Sequence, residues 1–199
     1  MARVLLAIPS FSGSVKSLCW ASSANLDWGG DEVTYAAVNG WFADRARNEM
    51  ARMALEGEYD YLFMVDSDII LPPDALVRLR EASVDVATGY YVRGLSDDGR
   101  TCAIPLGDTG YGGGYFADVL RDRAARGISV IEVKGNGLGC ALVRTSVFKL
   151  IDAPWFAYRH APELGEDYWF CERCREAGVE VHVVPSVACG HVHDRILEA

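Results

Sequence analysis

The sequence has no apolar run long enough to cross a bilayer. Its opening stretch from Met1 to Pro9 offers only about six apolar positions before the proline, short of a signal-peptide core. These two absences lead us to expect a soluble, cytoplasmic protein with no membrane span. Positive charge is also scarce: 19 Lys and Arg stand against 28 Asp and Glu, a net charge of −9. So acidic a chain is poorly suited to a sequence-independent grip on nucleic acid or to anionic membranes, and small-molecule or neutral partners fit it better. The six cysteines, at 19, 102, 140, 171, 174 and 189, are scattered through a chain of ordinary core content. That pattern suits reduced thiols in a cytosol rather than a disulfide framework. There is no internal repeat. What remains is globular: 199 residues, 50% hydrophobic and 24% charged, are enough for one domain over 1–199 with a full core.

The most informative stretch runs from Tyr59 to Asp74. Its apolar residues, rich in aromatic and β-branched types, predict a buried strand that ends on Asp66-Ser67-Asp68. Two residues apart on an extended backbone, the two carboxylates point the same way, and burying them costs several kcal/mol unless a cation compensates. A divalent metal is one such cation; a plain polar turn, with the acids bonding local backbone N–H groups, is the other reading. Pro72 and Pro73 stop the strand, and a helix over 74–82 follows with Leu76, Leu79 and Ala82 on one face. Acids at the carboxyl end of a sheet strand lie where open α/β sheets bind ligands.

Upstream, Arg3 to Ile8 predicts a first strand that breaks at Pro9-Ser10-Phe11 into a loop rich in hydroxyls and backbone donors. Ser17 to Asp31 shows no clear period. Trp41 to Leu55 is helical, with Phe42, Ala46, Met50, Met53 and Ala54 on one side and a stop at Gly57. Arg45, Arg47 and Asn48 on that helix are either a solvated face or a set of donors for a diphosphate. Asp85 to Val92 is a further strand, so the order β, α, β, α, β predicts an α/β fold with a mainly parallel central sheet flanked by helices. From Gly94 to Gly127 periodicity is lost, which reads as a long loop or lid.

Ser129 to Lys134 is another strand, and Gly135, Gly137 and Gly139 after it let backbone approach a ligand, with no Gly-Lys-Ser/Thr to complete a phosphate loop. Glu166 and Asp167 open a helix that carries Trp169, Phe170 and Cys174 on its apolar face and stops at Gly178. Acids there satisfy the dipole and the unpaired N–H groups, which would hold Asp167 ionised and only weakly basic. A strand over 179–184 ends at Pro185, and two histidines, His191 and His193, follow. A histidine in a chain with an Asp-x-Asp pair is a candidate third metal ligand.

Taken together, Asp66-Ser67-Asp68, the glycines at 135–139, Gly165-Glu166-Asp167 and Gly190-His191 make the chain resemble GT-A-type glycosyltransferases, closest to family 2 and to compact bacterial and phage members. The resemblance implies a single Rossmann-like domain, a UDP- or GDP-sugar donor and a Mn²⁺ or Mg²⁺ ion on its diphosphate. By the same resemblance Asp66, Asp68 and His191 hold the metal. Pro9, Ser10, Phe11, Arg45, Arg47, Asn48, Asp66 and Gly137 lie along the nucleotide sugar. Asp167 is the base of an inverting transfer, and Glu166 orients base or acceptor. Two alternatives stay open. One is a sugar-phosphate nucleotidyltransferase, although residues 10–17 supply only Gly13 and Lys16. The other is a zinc-stabilised interaction module built on Cys171, Cys174, Cys189 and His191.

Overall fold

The computed structural model describes residues 1–93, 99–160 and 163–192. Twelve strands and six helices alternate in this part of the chain. The first half comprises β1 (Arg3–Ser10), α1 (Ser17–Ala24), β2 (Glu32–Asn39), α2 (Ala43–Glu56), β3 (Tyr61–Val65), β4 (Ile69–Ile70), α3 (Ala75–Glu81) and β5 (Val86–Tyr90). The second comprises β6 (Ile104–Pro105), α4 (Ala117–Ala125), β7 (Ile131–Gly135), β8 (Cys140–Arg144), α5 (Val147–Leu150), β9 (Arg159–His160), β10 (Glu163–Leu164), α6 (Glu166–Glu176), β11 (Val181–Ala188) and β12 (Gly190–His191).

Eight strands form one sheet in the order β2-β1-β3-β8-β5-β11-β7-β6. The fold is α/β, as the sequence predicts, and the sheet is mixed. β1, β2, β3, β5 and β11 run the same way, while β8 enters between β3 and β5 against them and β7 runs against β11. The alternation of strands and helices fixes the parallel set, but it carries no information about where later strands insert.

Both faces of this sheet are covered. Leu5, Ala7, Leu62 and Met64 pack into one buried cluster with Met50, Phe156 and Phe170. Val4, Leu6, Ile8, Phe63 and Val65 face the other way, onto Leu76 and Leu79. This is the period-two alternation of a strand, here apolar at every position because helices lie on both sides. All five residues of β3 are buried for that reason. The predicted helix over 41–55 is α2, and at its end Glu58, not Gly57, holds the left-handed backbone with φ 53°. Gly57 is glycine because a Cβ there would lie 2.4 Å from the Tyr59 ring.

Two stretches hold elements that the sequence pattern does not mark. The segment 17–31, which has no clear period, begins with α1, and β2 follows it as an edge strand whose residues are exposed or half-exposed apart from Val38, so no apolar run marks it. The stretch 94–127 is not a plain loop, since it contains β6 and α4, of which only Leu120 is buried. Residues 94–98 of that stretch, and His193, lie outside the described residues. Among the described residues no helix is long and apolar enough to cross a membrane.

Candidate active site

β3 delivers Asp66 to the carboxyl end of the sheet, where the Asp66 N–H donates to the Gly139 carbonyl at 3.0 Å. The Ile69 N–H then closes a turn on the Asp66 carbonyl at 3.1 Å. β4 leaves this turn and pairs antiparallel with β12, with His191 opposite Ile69. Residues 123 apart in sequence are thereby adjacent, and His191 Nε2 lies 3.5 Å from Asp68 Oδ2. The Val92 carbonyl lies 3.1 Å from His191 Nδ1. A carbonyl can only accept, so Nδ1 donates and the neutral ring turns the Nε2 lone pair toward the carboxylate. A proton on the ring or a shared cation relieves that opposition. Asp68 draws the imidazole pKa above its ordinary value, against the effect of burial.

Asp66 is compensated by Arg47 on α2. Its Nη2 lies 2.7 Å from Asp66 Oδ1 and its Nη1 3.1 Å from Glu166 Oε1, with the guanidinium side chain only 4% exposed. Burial works to lower the Arg47 pKa, but Asp66, Glu166 and Asp167 together outweigh it and keep the guanidinium charged. Pro9, Phe11, Arg47, Asp66, Asp68 and Glu166 line one cleft of about 220 Å³, in which three carboxylates face one guanidinium.

Glu166 and Asp167 occupy the first two positions of α6, after Gly165 in extended conformation. Asp167 Oδ1 accepts the Tyr168 N–H at 2.7 Å, so part of the capping role holds. The expectation of a weak base does not. Burial pushes the Asp167 carboxyl up to about 6, with Glu166 and Asp66 adding to the rise and Arg47 opposing it. Desolvation outweighs the Arg47 charge and the Tyr168 N–H bond at this position.

The remaining predicted ligand residues fall into two groups. Phe11 is exposed and stacks on Phe42 at 4.9 Å, which makes an aromatic rim beside Pro9. The rest are engaged in packing, apart from the exposed Arg45. Ser10 is buried and donates from Oγ to the Ser14 carbonyl at 2.7 Å. Asn48 donates to the Phe156 carbonyl and accepts the Trp155 N–H, which ties α2 to the 155–156 segment. Arg45 lines a neighbouring cleft with Trp155, and Trp41 lines both that cleft and the one beside β3. Gly137 is buried, and a Cβ there would lie 2.4 Å from the Tyr91 hydroxyl, so its glycine makes room for a tyrosine. Sequence reasoning missed that tyrosine, whose hydroxyl lies 3.4 Å from the Gly139 N–H and whose ring meets His191 edge-on. Nothing in the pattern around residue 91 marks it.

The zinc alternative is overturned. Cys171 and Cys174 on α6 are fully buried in the apolar core, where packing accounts for both. Among the described residues no three His, Cys, Asp or Glu side chains are grouped as a metal site, so Asp66, Asp68 and His191 do not form a closed triad.

No protein-family model and no curated protein matches this sequence. Solved structures do. A197 from STIV superposes with a TM-score of 0.65 at 21% identity, over 96% of this chain and 86% of that one. GalNAc-T7 with UDP, GalNAc and Mn²⁺ superposes with a TM-score of 0.59 at 9% identity, over 96% of this chain and 44% of that one. The fold is GT-A-like. In this GT-A-like fold the Asp66-Ser67-Asp68 turn follows β3, and the start of α6 faces it through Arg47. The chain spans less than half the length of the GalNAc-T7 chain it matches.

Proposed function

We propose that the protein is a metal-dependent glycosyltransferase, a single catalytic domain that moves a sugar from a nucleotide-sugar donor to a hydroxyl acceptor with inversion. The observation that carries this reading is the charge of the cleft beside β3. Asp66, Asp68 and Glu166 outnumber Arg47, so a bare nucleoside diphosphate would meet net repulsion there. A divalent cation reverses that balance. The donor set fits Mn²⁺ better than Mg²⁺, which takes oxygen ligands: the lone pair of His191 Nε2 and the Asp68 carboxylate face each other at 3.5 Å, with Nδ1 anchored on a backbone carbonyl. Asp68 and His191 would hold the ion, which would supply Lewis-acid stabilisation to the departing diphosphate, while Asp66 stays paired with Arg47.

The chain's own residues do the rest. Arg47 holds Asp66 and Glu166 in place and presents the cation nearest the phosphates. The cleft of about 220 Å³ is smaller than the roughly 300–1,000 Å³ of a whole small-ligand site. It is sized for the phosphate end of a UDP- or GDP-sugar, with the base on the open rim of Pro9 and Phe11. Asp167 takes the proton from the acceptor hydroxyl as its oxygen attacks the anomeric carbon. A carboxylate with a pKa of about 6 is largely ionised at neutral pH and more basic than an ordinary one. That GalNAc-T7 holds UDP and Mn²⁺ on the same fold supports the donor class.

The test is a thermal-shift screen of UDP- and GDP-sugars with and without Mn²⁺. Binding at a hundredfold excess over Kd adds about 2.7 kcal/mol to stability. A donor that stabilises only with the ion present is the expected result. Indifference to every donor, or stabilisation equal in EDTA, would refute the reading.

A further inference from the structure

β2 ends the eight-stranded sheet, and its ladder to β1 runs unbroken from Arg3 opposite Glu32 to Ser10 opposite Asn39. Along a strand, successive residues turn their N–H and C=O groups to opposite sides. The Glu32 N–H donates to the Ala2 carbonyl and the Gly40 N–H to the Ser10 carbonyl, so the even-numbered residues of β2 serve β1. Val33, Tyr35, Ala37 and Asn39 therefore turn their backbone outward, and no partner meets it among the described residues. Four N–H and four C=O groups are left to solvent along this edge.

Sheet edges are commonly protected by lysine, proline, a bulge or an overlying segment. β2 has no lysine, no proline and no break in register, and its one charge, Glu32, stands at its first position. The opposite edge of the sheet is guarded, because β6 is two residues long and includes Pro105. The Tyr35 hydroxyl donates to the Ser23 carbonyl of α1, and the exposed rings of Trp20 and Trp28 flank Tyr35 at 6.2 and 6.3 Å. The open edge thus adjoins apolar surface.

We infer that β2 pairs antiparallel with β2 of a second copy of this chain, joining the two sheets about a two-fold axis at Ala36. Among antiparallel registers, this one pairs all four outward residues with one another: Val33 with the partner's Asn39, and Tyr35 with the partner's Ala37. Each hydrogen-bonded pair exchanges two bonds, so the four pairs give eight, close to the ~10 of a typical interface. The side chains are self-complementary as well. Ala36 meets the partner's Ala36 on the axis, where the backbones come closest, and Tyr35 stands opposite a small residue. Thr34 meets the partner's Val38, a pair of β-branched side chains. Glu32 falls opposite the partner's Gly40, which sets the two carboxylates at opposite ends of the ribbon. A chain of net charge −9 associates with itself most readily where its own charge is absent, and most of β2 is such a place. With β6 guarded, association closes at two copies instead of extending into a fibre. The inference is independent of the transferase reading.

The experiment is analytical ultracentrifugation of the full chain at physiological salt. Wild type should sediment at twice 21.8 kDa, and Ala37→Pro at 21.8 kDa with an unchanged far-UV spectrum, because proline there removes only an outward N–H. A second arm does not depend on the proline variant folding. Under mild oxidation Ala36→Cys should give covalent dimers, since a non-hydrogen-bonded antiparallel pair sets its Cα atoms ~4.5 Å apart, within disulfide reach. Ala37→Cys, whose neighbour across the axis is a tyrosine, should not, and neither should wild type. A wild-type monomer at every concentration, a dimer that survives Ala37→Pro, or cross-linking no greater in Ala36→Cys than in Ala37→Cys would overturn the inference; if the proline variant unfolds, the cross-linking arm decides.

Discussion

Replacing Asp167 by Asn should make the folded protein more stable while destroying its turnover. The carboxyl rises from an ordinary 3.8 to about 6 in the fold, chiefly through burial, a change worth about 3 kcal/mol. Because the folded state holds this proton more tightly than the unfolded chain, stability from this group is complete below about pH 3.8 and is lost as pH rises to about 6. At pH 7.5 the buried charge therefore acts against folding. Asn keeps an oxygen for the Tyr168 N–H that Asp167 now accepts at 2.7 Å, and it carries no charge. Urea unfolding of the metal-free protein in EDTA should show Asp167→Asn about 1–3 kcal/mol more stable at pH 7.5 and level with wild type near pH 4. A residue that only capped α6 would instead lose about 1 kcal/mol on substitution. In an assay with donor and acceptor, kcat should fall by ~10²–10⁴, and wild-type kcat should rise tenfold per pH unit until about pH 6 and then level off. Destabilisation at pH 7.5 with the pH slope unchanged, or wild-type turnover in the variant, would refute the assignment.

Arg47→Met leaves Asp66 and Glu166 without their shared cation and should cost about 3–5 kcal/mol in urea unfolding; a loss below 1 kcal/mol would show that water already screens the pair. Asp68→Asn should abolish metal-dependent binding of UDP in calorimetry with little change in Tm, and unchanged affinity for the Mn²⁺ complex would count against Asp68 as a ligand. Gly137→Ala drives a methyl to within 2.4 Å of the Tyr91 hydroxyl and should cost about 1–3 kcal/mol. Adding Tyr91→Phe should recover part of that loss, and an additive double variant would show that some other contact is responsible.

The acids of the candidate site were legible because each sits at a punctuation mark in the sequence. Asp66 and Asp68 close an apolar run, Glu166 and Asp167 open a helix, and His191 follows a glycine. Two strands buried on both faces, β1 and β3, announced themselves by their apolar runs. Elements that bury little did not: β2 buries only Val38 and α4 only Leu120, so neither leaves a periodic trace. Long-range partners were equally hidden. Nothing local to Asn48 says that its amide serves the 155–156 backbone, and nothing local to Gly137 says that a tyrosine 46 positions earlier fills the space beside it. Arg47 was recognisable as a candidate, but its place between two acids depends on α6, far along the chain.

The two-residue ribbon of β4 and β12 means that part of the site is assembled outside the main sheet. All eight strands of that sheet can form without β12, whereas His191 reaches Asp68 only after a loop of more than a hundred residues has closed. Backbone held by so few pairs opens locally at a free energy well below that of global unfolding. The amide of Val192, which donates to the Asp68 carbonyl at 2.8 Å, should therefore exchange with solvent much faster than those of β3. An ion bridging Asp68 and His191 would act as a clasp on that ribbon. It would slow exchange there while leaving the central strands unchanged, so occupancy of the site could be followed at one amide without an acceptor, a donor or a turnover.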